Sequence, residues 1–316
     1  MRILFIGSGE FALPTLESLL REHDVAAVVT QPARKGGRGQ QVRPTPVQVF
    51  AEERGVEAIE APDVNEPGLV ARLTGLGADI GVVVAFGQRL GPPLLACVPA
   101  GFINLHASLL PRYRGAAPYQ WAVLSGEEKS GVTVFRLTPA LDAGPILAQR
   151  WTFIKPAETA AELHDRLARV GPDAVKAALE QFGEGRSPDG VPQDLSQVTR
   201  APKLKKEDGA VDFSRSAESL ARFVCGMWSW PGASCVFEPR NGSERERVVL
   251  ARARVGDDSP ADVPSGELDV RLFIATGVGW LELLEIRPAG GRVMTWQEYV
   301  NGRHVRAGDR FTHVAE

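Results

Sequence analysis

The sequence predicts an α/β chain in which a doubly wound, mostly parallel sheet is followed by a small β-barrel or sandwich. Three observations predict it. Short, continuous β-branched runs in the first third, RILFIG (residues 2–7), VAAVV (25–29) and DIGVVVAFG (79–87), each end at Gly or a polar residue, as strands covered on both faces do. Amphipathic helical patterns alternate with them, the βαβ order of a parallel sheet. Past about residue 207 that alternation gives way to short strand-like segments separated by turn residues, the rhythm of a small all-β domain.

In chain order, LPTLESLLRE (13–22) places Leu16, Leu19 and Leu20 on one helical face, and PVQVFAEERG (46–55) and PGLVARLTGLG (67–77) are helices closed by glycine. GFINLH (101–106) and GVTVFRL (131–137) extend the sheet, and ILAQRWTFI (146–154) alternates more, as an edge strand does. A long helix from about Ala160 to Phe182 follows from the spacing of Leu163, Leu167, Val170, Val175 and Leu179. The polar, Gly- and Pro-rich stretch after it reads as a linker, which divides the chain into residues 1–184, a linker 185–206, and 207–316. A helix at SAESLARFVCGM (216–227) then precedes strands at ASCVFE, RVVLARARV, LFIATG, WLELLEIR and AGDRF.

Composition narrows the function classes. At 316 residues, 44% hydrophobic, 24% charged and net charge −3, nothing global announces a nucleic-acid or membrane protein. Cys97, Cys225 and Cys235 are too few and too scattered for a disulfide framework or a C-x-x-C metal site, which places the chain in the cytoplasm with no metal. The first apolar run is too short for a signal-peptide core, and no segment approaches the ~20 apolar residues of a membrane helix.

Two N-terminal loops need separate readings. Gly7-Ser8-Gly9-Glu10-Phe11-Ala12 fits G-x-G-x-x-[GA], but a dinucleotide site also wants an acidic residue after the second strand. Thr30-Gln31-Pro32 stands there, and Glu10 would repel a pyrophosphate. A tight strand-to-helix turn without NAD is the better reading. The next loop, QPARKGGRGQQVRPTP (31–46), carries Arg34, Lys35, Arg38 and Arg43 with no acid, on a Gly-rich stretch expected to have no fold of its own. It reads as a phosphate-binding arm or as a merely solvated basic loop. RAPKLKK (200–206) is a second acid-free patch, whereas residues 207–316 hold 17 Asp and Glu against 13 Arg.

The chemistry concentrates in INLHASLLPRYRGAAP (103–118). Side chains alternate along a strand, so Asn104 and His106 share one face at the carboxyl end, where open α/β sheets bind ligands. LTPALDAGPIL (137–147) supplies Asp142 in a loop near that end. An Asn, a His and an Asp suit transfer of a one-carbon acyl group to an amine. Asn104 and His106 would donate to the oxyanion, and Asp142 would hold the His tautomer and take a proton. Ser108 competes as a covalent nucleophile, yet no G-x-S-x-G elbow surrounds it.

INLHASLLPRYRGAAP followed by LDAGP resembles the signature of the 10-formyltetrahydrofolate-dependent formyltransferases. TQPARKGGRGQQVRPTP, VVVAFG, PKLKKEDGAVDF and WPGA resemble the branch that formylates methionine on initiator tRNA. The resemblance implies a Rossmann-like catalytic domain, a linker, and a small OB-like β-barrel domain that helps bind tRNA. It implies Asn104, His106 and Asp142 as the catalytic group, and Ser108, Leu109, Leu110 and Pro111 as contacts to the co-substrate 10-formyltetrahydrofolate. It further implies tRNA contacts by Arg34, Lys35, Arg38, Arg43, Lys203 and Lys205, with Arg38 matching the family's key arginine, in a monomer working on initiator Met-tRNA. Alternatives on the same scaffold are a 10-formyltetrahydrofolate hydrolase or a small-amine formyltransferase; from another class, a non-catalytic RNA-binding protein. Phe213 replaces a usual Trp, and Trp228-Ser229 precedes WPGA where Asn-Pro is usual; both departures lie away from the catalytic group.

Overall fold

The computed structural model describes residues 1–36, 41–183, 187–257, 259 and 262–314. Strands β1 (Arg2–Gly7), β2 (Asp24–Thr30), β3 (Arg34–Gly36), β4 (Gln41–Arg43), β5 (Ala58–Glu60), β6 (Ile80–Val84), β7 (Phe102–His106), β8 (Arg114–Gly115), β9 (Lys129–Arg136), β10 (Ile146–Phe153) and β11 (Arg200–Ala201) come first. With them run helices α1 (Leu13–Glu22), α2 (Pro46–Glu52), α3 (Pro67–Gly75), α4 (Pro92–Leu95), α5 (Pro118–Leu124) and α6 (Ala160–Leu179). One seven-stranded sheet has the order β10-β9-β7-β6-β1-β2-β5. The pairs β1–β2, β1–β6, β2–β5 and β6–β7 are parallel, and β9 joins β7 antiparallel. The expected Rossmann-like, mostly parallel sheet is the one observed.

Burial explains why the strands read as unbroken apolar runs. Every residue of β6 is buried, and five of six in β1 are. Leu4, Ile6, Val29, Val83 and Phe102 form part of a core cluster that also takes in Leu73 from α3; each such side chain contributes about 1.5–3 kcal/mol. Gly81 lets the Phe102 ring lie on the backbone, since a Cβ there would come within 2.0 Å of it. The edge strand β10 is half-buried to exposed along its length, as its more alternating sequence predicts.

Contact density divides the chain into two units that are not consecutive segments. The first holds Met1–Pro118, Ser130–Thr152 and His164–Pro202; the second holds Tyr119–Lys129, Phe153–Leu163 and Lys203–Glu316. Residues 187–202, expected as linker, therefore cluster with the sheet. Part of the expected linker is also structured: β11 pairs with β8 in parallel, and Leu195–Gln197 form a 3-10 turn capped by Asp194.

The basic loop differs from expectation. Its two flanks fold on each other, with Arg34 opposite Arg43, Lys35 opposite Val42 and Gly36 opposite Gln41 in an antiparallel pair. Backbone pairing of this kind needs no apolar core, which is why a composition-based reading missed it. Thr30 and Thr45, at the two ends of the loop, meet through their hydroxyls at 2.6 Å.

In the second unit, β12 (Ala233–Glu238), β13 (Glu246–Asp257), β14 (Ile274–Ala275), β15 (Trp280–Pro288), β16 (Met294–Thr295) and β17 (Arg310–Thr312) form a six-stranded sheet, with α7 (Ala217–Met227) and α8 (Trp296–Arg303). Its pairs are antiparallel. Register shifts along β13 at Leu250/Arg252, Arg252/Ala253 and Val255/Asp257 bend it into a barrel-like, nearly closed form. Helix α8 lay outside the sequence reading, although its start carries a capping box: Thr295 Oγ1 accepts from the Glu298 N–H, and Glu298 accepts from the Thr295 N–H.

Arg252 on β13 binds the segment Phe153–Leu163 to this unit. It donates to Glu162 at 2.7 and 2.9 Å, to Glu285 at 3.0 Å and to the Ala157 carbonyl at 2.9 Å. The Arg252 guanidinium holds the Glu162 carboxyl well below its usual range, at about 2. A depressed carboxyl contributes stability that is present above its ordinary value and lost on acidification. Wild-type protein should therefore lose stability as pH falls from about 5 toward 2, and Arg252→Met should flatten that dependence. At neutral pH the same variant should cost about 1–3 kcal/mol from the lost charge-assisted bonds. Denaturant titrations of both proteins across this pH range check the expectation.

Candidate active site

Strand β7 delivers Asn104 and His106 to its carboxyl end, and β9 covers its far side with Phe135 opposite Asn104 and Thr133 opposite His106. The His106 ring is 7% exposed and meets the Phe135 ring edge-on at 6.5 Å. Its Nε2 lies 2.9 Å from the Tyr113 carbonyl oxygen. A carbonyl only accepts, so Nε2 carries a hydrogen, and Nδ1 is the nitrogen left for chemistry. Nδ1 faces Asp142 Oδ2 at 4.0 Å. The sequence reading gave Asp142 the task of holding the tautomer; the Tyr113 carbonyl holds it instead, and Asp142 stands at 4.0 Å, beyond hydrogen-bond reach.

Asp142 adopts φ 48°, a left-handed conformation in which Asp is one of the tolerated residues. Its Oδ2 accepts from the Gly115 N–H at 2.9 Å. Gly115 has φ 132°, and a Cβ there would lie 2.4 Å from the Ala201 carbonyl oxygen, so only glycine fits. Asn104 is half-buried, and among the described residues its side-chain amide has no hydrogen-bond partner. That leaves both amide hydrogens available to a ligand oxygen.

The Ser108-Leu109-Leu110-Pro111 turn follows directly, with a cis Leu110–Pro111 bond. Thr133, fully buried, organises it. The Thr133 hydroxyl donates to the Ser108 carbonyl at 2.7 Å and accepts from the Leu110 N–H at 3.0 Å and from Gln149 Nε2 at 2.9 Å. Gln149 Nε2 also donates to the Leu110 carbonyl at 2.9 Å. The Ser108 hydroxyl donates to the Arg112 carbonyl at 2.7 Å, so it is engaged as a turn residue and points no proton at a base. Nor do the cysteines offer a nucleophile: burial pushes the Cys97 thiol up to about 11 and raises Cys225 and Cys235 as well.

The first turn of the chain is not a phosphate cradle. The Ser8 and Gly9 N–H groups both donate to the Ala85 carbonyl at 3.3 Å. The Ser8 hydroxyl accepts from the Gln31 N–H at 3.0 Å and from Thr30 Oγ1 at 3.2 Å, so this turn anchors the base of the basic loop. Arg34 donates to Gln31 Oε1, and Arg34 and Arg43 are exposed with no acidic partner among the described residues. Lys35 sits on β3, while Arg38 lies outside the described residues. Lys203 and Lys205 belong to the second unit, exposed and likewise without an ion pair among the described residues.

Several supporting residues escaped the sequence reading. Gln193 Nε2 donates to the Asp142 carbonyl at 2.9 Å and to the Gly144 carbonyl at 2.8 Å, and its Oε1 accepts from Arg114 at 2.7 and 3.1 Å. Thr199 Oγ1 accepts from the Tyr113 N–H at 2.8 Å. These contacts span 49 to 86 residues of chain, and no local pattern marks them. Thr133, in contrast, was findable as a polar residue inside the apolar run GVTVFRL.

The formyl transferase family model matches residues 1–179, and the model of the formyl transferase C-terminal domain matches 203–304. Methionyl-tRNA formyltransferase of Heliobacterium modesticaldum is 39% identical over 323 residues, covering 98% of this chain and 100% of the relative. That of Methylococcus capsulatus is 40% identical over 314 residues, covering 98% and 99%. Among solved structures, an N-formyltransferase from Helicobacter canadensis, in complex with folinic acid and dTDP-3-aminofucose, shares the fold with a TM-score of 0.64 at 14% identity, over 89% of this chain and 98% of that one.

Replacing Thr133 with Val strands the Leu110 N–H and the Ser108 carbonyl in a buried site. The expected loss is about 1–3 kcal/mol. It should appear as a fall of a few degrees in Tm and, through the loosened turn, as faster amide exchange at Leu110 measured by hydrogen–deuterium exchange.

Proposed function

The chain belongs to the formyl transferase family, among the methionyl-tRNA formyltransferases, and from that membership we propose how its own residues carry out the transfer. It is a formyl-group transferase, and the modification it serves is that of initiator tRNA in translation initiation. The formyl donor is 10-formyltetrahydrofolate, and the acceptor is the methionine amine of initiator Met-tRNA. Residues 1–184, braced by 187–202, hold the donor and the chemistry, and residues 207–316 help hold the tRNA. The protein works as a monomer in the cytosol. Three unpaired cysteines fit a reducing compartment, and among the described residues no helix is long and apolar enough to cross a membrane.

The observation that carries the mechanism is the half-buried, unpartnered Asn104 amide beside a histidine that faces a carboxylate. As the amine adds to the formyl carbon, the carbonyl oxygen gains negative charge. Asn104 donates to that oxygen. His106, with its Nε2–H held by the Tyr113 carbonyl, serves it from Nδ1 when the ring carries both protons, and Asp142 supplies the counter-charge. Asp142 takes the proton that the attacking nitrogen sheds, directly or through water; the bond from the formyl carbon to the folate nitrogen then breaks, and that proton passes to the departing nitrogen, which returns Asp142 to its carboxylate form. Attack is direct, because Ser108 is engaged in its turn and the thiols are suppressed. The Ser108–Pro111 turn, held by Thr133 and Gln149, forms a wall for the folate.

The basic hairpin favours tRNA over a small amine or water as acceptor. Arg34 and Arg43 face each other across β3 and β4, and like charges opposed on a sheet are destabilising unless an anion lies between them. A phosphate backbone supplies such anions; Lys35, Arg38, Lys203 and Lys205 are assigned to it as well.

Transfer of labelled formyl from 10-formyltetrahydrofolate to charged initiator tRNA, compared with charged elongator tRNA, tests the reading. Full consumption of the donor without tRNA would favour the hydrolase alternative. Asn104→Ala should lower kcat roughly 10²- to 10³-fold, the cost of one oxyanion donor, and Asp142→Ala should abolish transfer with tRNA affinity kept within a few-fold. The pair Arg34→Ala and Arg43→Ala should raise KM for Met-tRNA about tenfold, leave KM for the folate unchanged, and reduce the salt dependence of tRNA binding by a slope of roughly 1–2. Equal losses on both substrates would remove the hairpin from tRNA recognition.

A further inference from the structure

We infer that Gln193, with Arg114 behind it, is a positioning residue that sets the Asp142 carboxylate against His106. The inference rests on the proposed role of Asp142. Gln193 lies in the segment expected to be linker, yet it is buried to 9% exposure and uses its whole hydrogen-bonding capacity. Each hydrogen of its amide goes to a carbonyl of the Asp142 loop, at Asp142 and Gly144, and its oxygen takes both Arg114 bonds. Arg114 is half-buried and pairs with no carboxylate among the described residues. Its charge therefore polarises the Gln193 amide and strengthens the two N–H donors.

The geometry explains why the loop needs this. Asp142 is held at φ 48°, a conformation L residues adopt only where the surroundings enforce it. Two constraints enforce it here: the Gly115 N–H grips the carboxylate, and Gln193 grips the backbone carbonyl of the same residue. Gly144 is fixed equally tightly, since a Cβ there would fall 1.7 Å from the Arg136 carbonyl oxygen. Without Gln193 the carboxylate keeps one tether and gains a torsional freedom that moves it relative to His106 Nδ1. Arg114 also starts β8, whose next residue is Gly115, so one short strand carries both the carboxylate's donor and the cation that supports Gln193.

The test uses Gln193→Met, which keeps volume and removes every hydrogen bond, and Gln193→Glu, which keeps a partner for Arg114 but cannot donate to the two carbonyls. Both should lower kcat for Met-tRNA formylation by about 10- to 100-fold, the scale of a displacement of about 1 Å in a catalytic group, with KM for each substrate within threefold of wild type. Combined with Asp142→Asn, Gln193→Met should cause no further loss, because it acts through that carboxylate. Wild-type kcat in Gln193→Met or Gln193→Glu, a loss shared between kcat and both KM values, or an additive loss in the double variant would overturn the assignment. Wild-type turnover in Asp142→Asn alone would sink the role of the carboxylate and Gln193's role with it. A crippled Asp142→Asn beside a fully active Gln193→Met would sink only the positioning.

Discussion

The site depends on one bond, from the Gly115 N–H to the Asp142 carboxylate, 2.9 Å long and closing 27 residues of chain. It joins the strand after the Ser108–Pro111 turn to the loop after β9, and it fixes the oxygen that looks toward His106. A hydrogen bond to a charged acceptor is worth more than a neutral one, and here its donor is a residue that only glycine can be. Gly115 in turn rests on β11 and Tyr113 on Thr199. The geometry of the carboxylate is thus set by three stretches of sequence that share no local signal.

The same economy of polar contacts runs beneath the rest of the catalytic unit. Thr133 and Gln149 satisfy the backbone of the Ser108–Pro111 turn, and Ala85 takes the two N–H groups that would otherwise make the first loop an anion cradle. Among the described residues the side-chain amide of Asn104 has no hydrogen-bond partner. A donor held ready in this way costs no reorganisation when charge develops beside it, which suits the oxyanion role proposed for it.

Cations are distributed by the same logic. In the second unit Arg252, Arg254, Arg271, Arg303 and Arg310 are each bound to a carboxylate, whereas Arg215, Arg240, Arg247, Arg287, Arg292 and Arg306 have no ion pair among the described residues. Arg34 and Arg43 in the hairpin, and Lys203 and Lys205 after β11, have no such partners among the described residues.

The continuous apolar runs of this chain and the amphipathic patterns between them determined its strands, its sheet and most of its helices, because hydrophobic patterning is a local property that burial enforces. The motif INLHASLLPRYRGAAP and the later LDAGP likewise placed Asn104, His106 and Asp142 on strand and loop ends, since two-residue alternation dictates which side chains share a face. Folding alone decided which imidazole nitrogen is open, because that depends on the carbonyl of Tyr113 arriving at 2.9 Å. It also decided that residues 187–202 support the sheet, that the basic loop pairs its flanks, and that Gln193 meets Asp142. Each of these rests on hydrogen bonds to the backbone, and such bonds leave no periodicity in the sequence from which they could be read.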